Sequence, residues 1–270
     1  FGNFVSRMKD IPEWGAAWNS WLSKRYATRD ALAAAWSKEL KDNEDPAKGN
    51  VALPTNIYAS NPRVHDCAEF FSRTEREMIE RMTKFLRDEL KCKALIANMS
   101  AWTNHVSDQA ARATYNYVDD HFYIDHPHFL ERPWSLPSRC DNRSPILGGG
   151  SGGRSTSITR LFDKPFTITE YNYSGPGRFR GVGGILTGAL GSLQGWGGIW
   201  RFSYSHNRET LFKPSRMNYF DMSSDPLSQA AERASICLYL RGDMKPAPHS
   251  VGIVMSEKVG LAMRPMPILA

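Results

Sequence analysis

The chain has 270 residues, room for one large α/β domain or two smaller ones. Hydrophobic residues at 41% and charged residues at 23% are ordinary globular usage, which excludes disorder as the starting expectation. The net charge of +6 is spread along the chain, so no basic stripe for nucleic acid is expected, and no apolar stretch nears the roughly 18 residues of a membrane span. Cys67, Cys92, Cys140 and Cys237 form no CxxC pair and are too sparse for a disulfide scaffold. They leave the compartment open, with secretion and a bacterial periplasm among the options.

Trp14, Trp18, Trp21 and Leu22 recur at spacings of three and four and predict a first helix with one apolar face. Thr28 is a suitable N-cap for a second, Arg29 to Leu40, followed by a loop from Asn43 to Asn61 rich in Asp, Asn, Pro and Gly. His65 to Leu90 reads as the clearest amphipathic helix, its apolar stripe made of Phe71, Met78, Met82, Phe85 and Leu86. Four short runs then read as buried strands: Ala94–Ala97, Tyr115–Tyr123, Phe166–Tyr171 and Gly198–Tyr204. A Gly-rich apolar helix is expected over Val182–Leu193, and another after Asp225-Pro226, a cap followed by a first-turn proline. A long loop carrying the glycine-rich stretch Gly148–Gly153 separates the second and third strands. Alternating strands and helices predict an α/β fold with a parallel sheet, and four such strands make half of a (β/α)8 barrel.

Barrels of that kind carry their chemistry at the C-terminal ends of the strands. The expected strand ends bear Asn98 and Trp102, His121 and Tyr123, Glu170 and Asn172, and Tyr204 and His206. Glu170 follows an apolar β-rich run, and a carboxylate buried there must be paired, hydrogen-bonded or used. On position alone it serves equally as a rim group bonded to backbone or as a catalytic carboxylate. Alternation puts Trp200, Phe202 and Tyr204 on one strand face, with Tyr204 nearest the cleft. The content of 8 Trp, 10 Tyr and 13 Phe is heavy for a plain core, and aromatic faces such as Trp102, Trp200 and Tyr204 suit stacking on a pyranose ring, although any one ring is more simply read as core.

Phe166-Thr-Ile-Thr-Glu-Tyr-Asn172 resembles the seventh strand of the retaining (β/α)8 glycosidases of clan A, the superfamily of cellulases and many β-galactosidases. The resemblance extends through most of the chain. Trp18–Tyr26 looks like the helix after the fourth strand, Phe85–Leu90 like the entry to the fifth, Asp120–Tyr123 like the end of the sixth and Trp200–His206 like the eighth. Asp225–Asp243 looks like the stretch that joins such barrels to accessory domains. The implied fold is an incomplete barrel, strands five to eight with their helices over residues 1–245, with 246–270 opening a following segment.

The resemblance implies hydrolysis of O-glycosidic bonds in a plant- or microbe-derived oligo- or polysaccharide by retaining double displacement. Glu170 would be the nucleophile and Tyr123 its hydrogen-bond donor, with Asn98, Trp102, His121, Asn172, Trp200, Tyr204 and His206 toward the sugar. No cofactor, nucleic acid or membrane partner is implied. The acid/base Glu of the clan ends the fourth strand within an Asn-Glu pair. Asn43-Glu44 lies instead in a charged loop with no strand before it, so the partner carboxyl is expected upstream of Phe1 and this chain alone is expected to be inactive. Two rivals stand beside this reading: a carbohydrate-binding barrel without catalysis, and a metal-dependent barrel hydrolase using His121, Asp125, His126, His128 and Glu131, whose spacing matches no established site.

Overall fold

The computed structural model describes residues 7–56, 59–97, 108–213, 215–256 and 260. It divides into two compact units, one of residues 1–94, 105–114 and 253–270, the other of residues 95–104 and 115–252.

The first unit is helical among its described residues. Helix α1 (Pro12–Arg25) starts on a proline, where the missing N–H costs nothing, and ends on Lys24 and Arg25, which suit the negative end of its dipole. Helix α2 (Arg29–Trp36) is capped as expected, Thr28 Oγ1 accepting from Ala31 N at 3.1 Å. Helix α3 (Pro62–Lys84) is capped by Asn61, whose Oδ1 accepts from Val64 N at 2.9 Å, and runs on as a π-helical turn over Phe85–Glu89. A short helix, α4 (Gln109–Arg112), completes the set.

Trp18, Leu22, Leu32, Trp36, Val51 and Phe70 close a shared core in which Trp18 stacks near Trp36 at 6.0 Å. Each large apolar side chain removed from water contributes roughly 1.5–3 kcal/mol. The expected stripe of α3 is corrected in its second half. Val64, Cys67 and Phe70 are buried, but Met78, Met82 and Phe85 are 42%, 46% and 46% exposed. The Trp core is reached through the N-terminal half of the helix, and in the second half Ile79 is buried instead of the expected stripe.

In the second unit three strands, β1 (Val118–Ile124), β4 (Phe166–Tyr173) and β5 (Gly198–Arg201), form a parallel sheet in the order β1-β4-β5. Between β1 and β4 the chain makes a two-stranded antiparallel ladder, β2 (His128–Phe129) with β3 (Ser138–Arg139), and a short helix α5 (Gly153–Ser157). Helix α6 (Gly183–Gln194) links β4 to β5 and lies against the sheet through Leu186 and Leu190. Helix α7 (Pro226–Ser235) packs on α6 so closely that a Cβ at Gly184 would sit 1.6 Å from the Ala231 carbonyl oxygen.

The first expected strand, Ala94–Ala97, is not a strand. Ile96 pairs with Asn116 through the side-chain Oδ1 at 2.9 Å and the backbone N–H at 3.0 Å, so an amide side chain supplies a bond that a ladder partner would make. Leu95 stays 67% exposed. The strand expected over Gly198–Tyr204 ends at Arg201, which removes the alternation anticipated for Phe202 and Tyr204. The fold is thus a mixed α/β arrangement with a small open parallel sheet, and the described residues form no closed barrel.

Candidate active site

The apolar residues of β4 keep period two up to Ile168 and then change phase. Phe166 and Ile168 pack into the helix-side core, and so do Tyr171 and Tyr173. Such a phase change needs one extra residue, and the register supplies it. Asp120 pairs with Ile168 and His121 with Glu170, which leaves Thr169 as the unpaired residue of a β-bulge. The same shift recurs against β5. Bulges re-aim side chains. Unbulged, Glu170 would follow Ile168 into the core; bulged, it turns to the opposite face, where His121 and Tyr123 of β1 point.

The Glu170 side chain is 27% exposed and has a partner beside each carboxylate oxygen. Tyr123 donates its hydroxyl to Oε1, and His121 Nδ1 lies 3.1 Å from Oε2, an ion pair whenever the ring is protonated. Burial, then the bond to Glu170 and its negative charge, push the Tyr123 hydroxyl well above the usual tyrosine range, so it remains a donor. His121 Nε2 is 2.7 Å from Thr169 Oγ1, which donates in turn to buried Asp119 Oδ2 at 2.7 Å. The bulge residue therefore both turns Glu170 outward and orients the ring beside it.

Asn172 is 1% exposed. Its amide donates to the Phe202 and Phe220 carbonyls, and its Oδ1 accepts from Tyr173 N at 2.8 Å and Arg201 Nη2 at 3.0 Å. The residue is thereby committed to pinning the segments after β5. Arg201 also pairs with Glu232 at 3.1 Å beneath Tyr171. His206 bonds Asp221 through Nδ1, with Ser203 Oγ 3.1 Å from the same nitrogen. Trp200, whose strand neighbour Ile199 packs into the core, lies on the Glu170 face by alternation. It covers Gly198, where a Cβ would meet its ring at 2.4 Å, yet it is 54% exposed rather than core. Tyr204 is 50% exposed. Asn98 and Trp102 lie outside the described residues.

The five proposed metal ligands do not converge. His121 serves Glu170, His126 joins an aromatic cluster, and His128 lies 3.4 Å from Asp141. Among the described residues no group of three His, Cys, Asp or Glu side chains is placed to hold a metal ion. Nor, among them, is any helix long and apolar enough to cross a membrane.

Sequence reasoning missed the aromatic wall beside the carboxylate. Phe220, 5% exposed, packs 5.2 Å from Tyr123, 5.7 Å from His126 and 5.8 Å from Phe202. It lies in an irregular segment with no periodic pattern to mark it. The phase change from Ile168 to Tyr171, in contrast, was present in the sequence and would have revealed the bulge.

No protein-family model matches the chain, and no curated protein matches it. Two solved structures do, both with a TM-score of 0.50. One is a polyextremophilic β-galactosidase from the Antarctic haloarchaeon Halorubrum lacusprofundi, 13% identical over 82% of this chain and 34% of that one. The other is a β-galactosidase from the psychrophilic Marinomonas ef1, 14% identical over 83% of this chain and 35% of that one. The chain spans about a third of the length of each. At this identity the likeness is one of fold, and the chain has a glycoside hydrolase-like α/β fold.

Proposed function

We propose that the second unit is the catalytic half-site of a retaining glycoside hydrolase, with Glu170 as nucleophile. The observation that carries this reading is the Glu170 carboxylate, turned outward by a bulge near the C-terminal end of a parallel strand, hydrogen-bonded by Tyr123 on one oxygen and with His121 beside the other. A carboxylate oriented in this way and still open to solvent is prepared to attack. Parallel β/α sheets place their ligands at that end of the strands. On this reading β1, β4 and β5 correspond to strands six, seven and eight of a barrel.

In the first step Glu170 attacks the anomeric carbon and forms a glycosyl ester while a general acid protonates the departing oxygen. In the second, water, deprotonated by the same group, releases the sugar with retained configuration. Tyr123 keeps the carboxylate aligned, and neither of the two side chains beside Glu170 is a carboxyl, so the general acid is a separate group. The substrate is a carbohydrate chain, in keeping with the β-galactosidase fold neighbours.

The test uses the complete gene product on aryl β-glycosides, with product configuration read by proton NMR. Retention is expected, with loss of turnover in Glu170→Gln and partial recovery of Glu170→Gly by azide, which fills the vacated space and attacks in its place. Inversion would require the two carboxyls roughly 6.5–9.5 Å apart with water between them. Inversion, or unchanged turnover in Glu170→Gln, would overturn the assignment.

A further inference from the structure

Trp134 is 60% exposed although four aromatic rings surround it. His126, Phe129, Tyr219 and Phe220 stand 5.2 to 6.4 Å from it at interplanar angles of 44° to 81°, so none lies parallel to the indole. They brace the ring obliquely, and its surface stays available. The backbone at Trp134 has φ +61°, a left-handed conformation rarely adopted by a bulky residue. The Tyr219 hydroxyl donates to the Trp134 carbonyl at 2.9 Å and holds it there. Core packing accounts for neither the exposure nor the backbone. Strained backbone under an exposed aromatic ring is characteristic of ligand clamps.

The ring is continuous with the site already described. His126 stands 5.8 Å from Tyr123, the donor to Glu170, and 5.9 Å from Trp134, two ring contacts in all. On the ladder that carries Phe129, His128 lies 3.4 Å from Asp141, both partly exposed. An open indole face fits the apolar face of a pyranose.

We propose that Trp134 is the platform of a separate saccharide subsite, taking a sugar unit beyond the one that Glu170 attacks, so that the substrate is an oligosaccharide rather than a monosaccharide glycoside. The inference rests on reading the Glu170 site as a carbohydrate site, but not on Glu170 being the nucleophile.

The test titrates the complete protein with β-linked gluco-, galacto-, manno- and xylo-oligosaccharides of one to six units and follows binding by calorimetry. In at least one series affinity should rise about tenfold or more as the chain extends past the first unit. Trp134→Ala should remove that gain and leave monosaccharide affinity unchanged, while Trp134→Phe, which keeps a ring, should retain much of it. A wild type with no length-dependent gain in any series overturns the proposal. So does a Trp134→Ala protein that keeps the gain, or a pair of variants that lose monosaccharide and oligosaccharide affinity alike, since the residue would then be supporting the fold. A Trp134-dependent gain alongside unchanged turnover in Glu170→Gln would sink the catalytic assignment and leave the platform standing.

Discussion

Glu44 in the helical unit and Glu170 in the sheet unit are both carboxylates held by polar partners, yet they are held for opposite ends. The Glu44 side chain is 4% exposed and clamped by Arg63 at 2.7 and 2.9 Å, with the Lys41 and Ala52 amides donating to its other lone pairs. Nearby, Asp66 accepts from Trp36 and Tyr26, both at 2.7 Å, so the charge in that core is fully engaged by protein. The Glu170 side chain is 27% exposed, with one side-chain donor, Tyr123, and His121 Nδ1 3.1 Å from its second oxygen. A saturated carboxylate is architecture, whereas one that is oriented but open is available for chemistry. Asn43-Glu44 is the chain's nearest likeness to an acid/base motif, and its clamp gives it work within its own unit.

Removing each carboxylate's charge separates these roles. The largest effect should be that of Glu170→Gln on turnover in the complete protein, a loss on the order of 10⁴-fold. Its melting temperature should stay close to wild type, because a partly exposed amide can still accept from Tyr123. A Glu170→Gln protein that melts far below wild type would place Glu170 with Glu44 as a structural group and dissolve the contrast. Glu44→Gln should do the reverse. Breaking a buried pair leaves Arg63, 8% exposed, without its counter-charge, a loss of about 3–5 kcal/mol in stability by denaturant titration.

The legibility of the chain followed the same division. Capping residues and short-range apolar spacing set out α1, α2 and the start of α7 in the sequence, because Thr28 and Asp225 act within one helical turn. The strands Val118–Ile124 and Phe166–Tyr173 were found within three residues of their ends, while Glu170 stood even between two readings on position until the resemblance favoured one. What stayed hidden is non-local. The buried half of α3 was set by the Trp core, not by its strongest stripe. Ala94–Ala97 reads as a strand, but Ile96 bonds Asn116 instead of a neighbouring strand. Trp134 and Phe220 meet across more than eighty residues of irregular chain, where no period connects them.

Asp225 gives an intermediate case, a charge in the sheet unit that is spent as completely as those of the helical core. It caps α7 by accepting from Leu227 N at 3.1 Å and Ser228 Oγ at 2.7 Å, and it pairs with Arg180 at 2.6 Å. Burial alone would raise its pKa, but the bonds from Arg180 and Ser228 hold the carboxyl below the usual range. Asp225→Ala should therefore cost about 1–2 kcal/mol, the upper end for a lost cap. Hydrogen exchange should locate the loosening in α7 and in the Arg180 segment. If protection there is unchanged, the cap contributes nothing and the parallel with Glu44 fails.

The smallest effect is one of slope. Glu44 is also held below its usual range, burial being outweighed by Arg63 and the two backbone donors. A depressed folded value means that its stabilisation is complete above the unfolded carboxyl value, roughly pH 4.3, and is lost as pH falls through the folded one. Asp66 runs the other way. Burial raises it above its usual range despite Tyr26, Trp36 and Arg25, so it costs stability when ionised and relieves that cost as it takes up a proton on acidification. In wild type the two partly cancel over the acid range. Glu44→Gln should leave Asp66 and Glu75, which burial also raises, so stability should fall less steeply, or even rise, as pH drops from 6 toward 3. Asp66→Asn should leave Glu44 alone and make the fall steeper. Each change in slope is bounded by about 1.4 kcal/mol per pH unit for each proton. Unfolding midpoints at half-unit pH steps would read the two slopes against wild type. Variants that shift both curves in the same direction would mean that the acid response of this unit is set elsewhere than in Glu44 and Asp66.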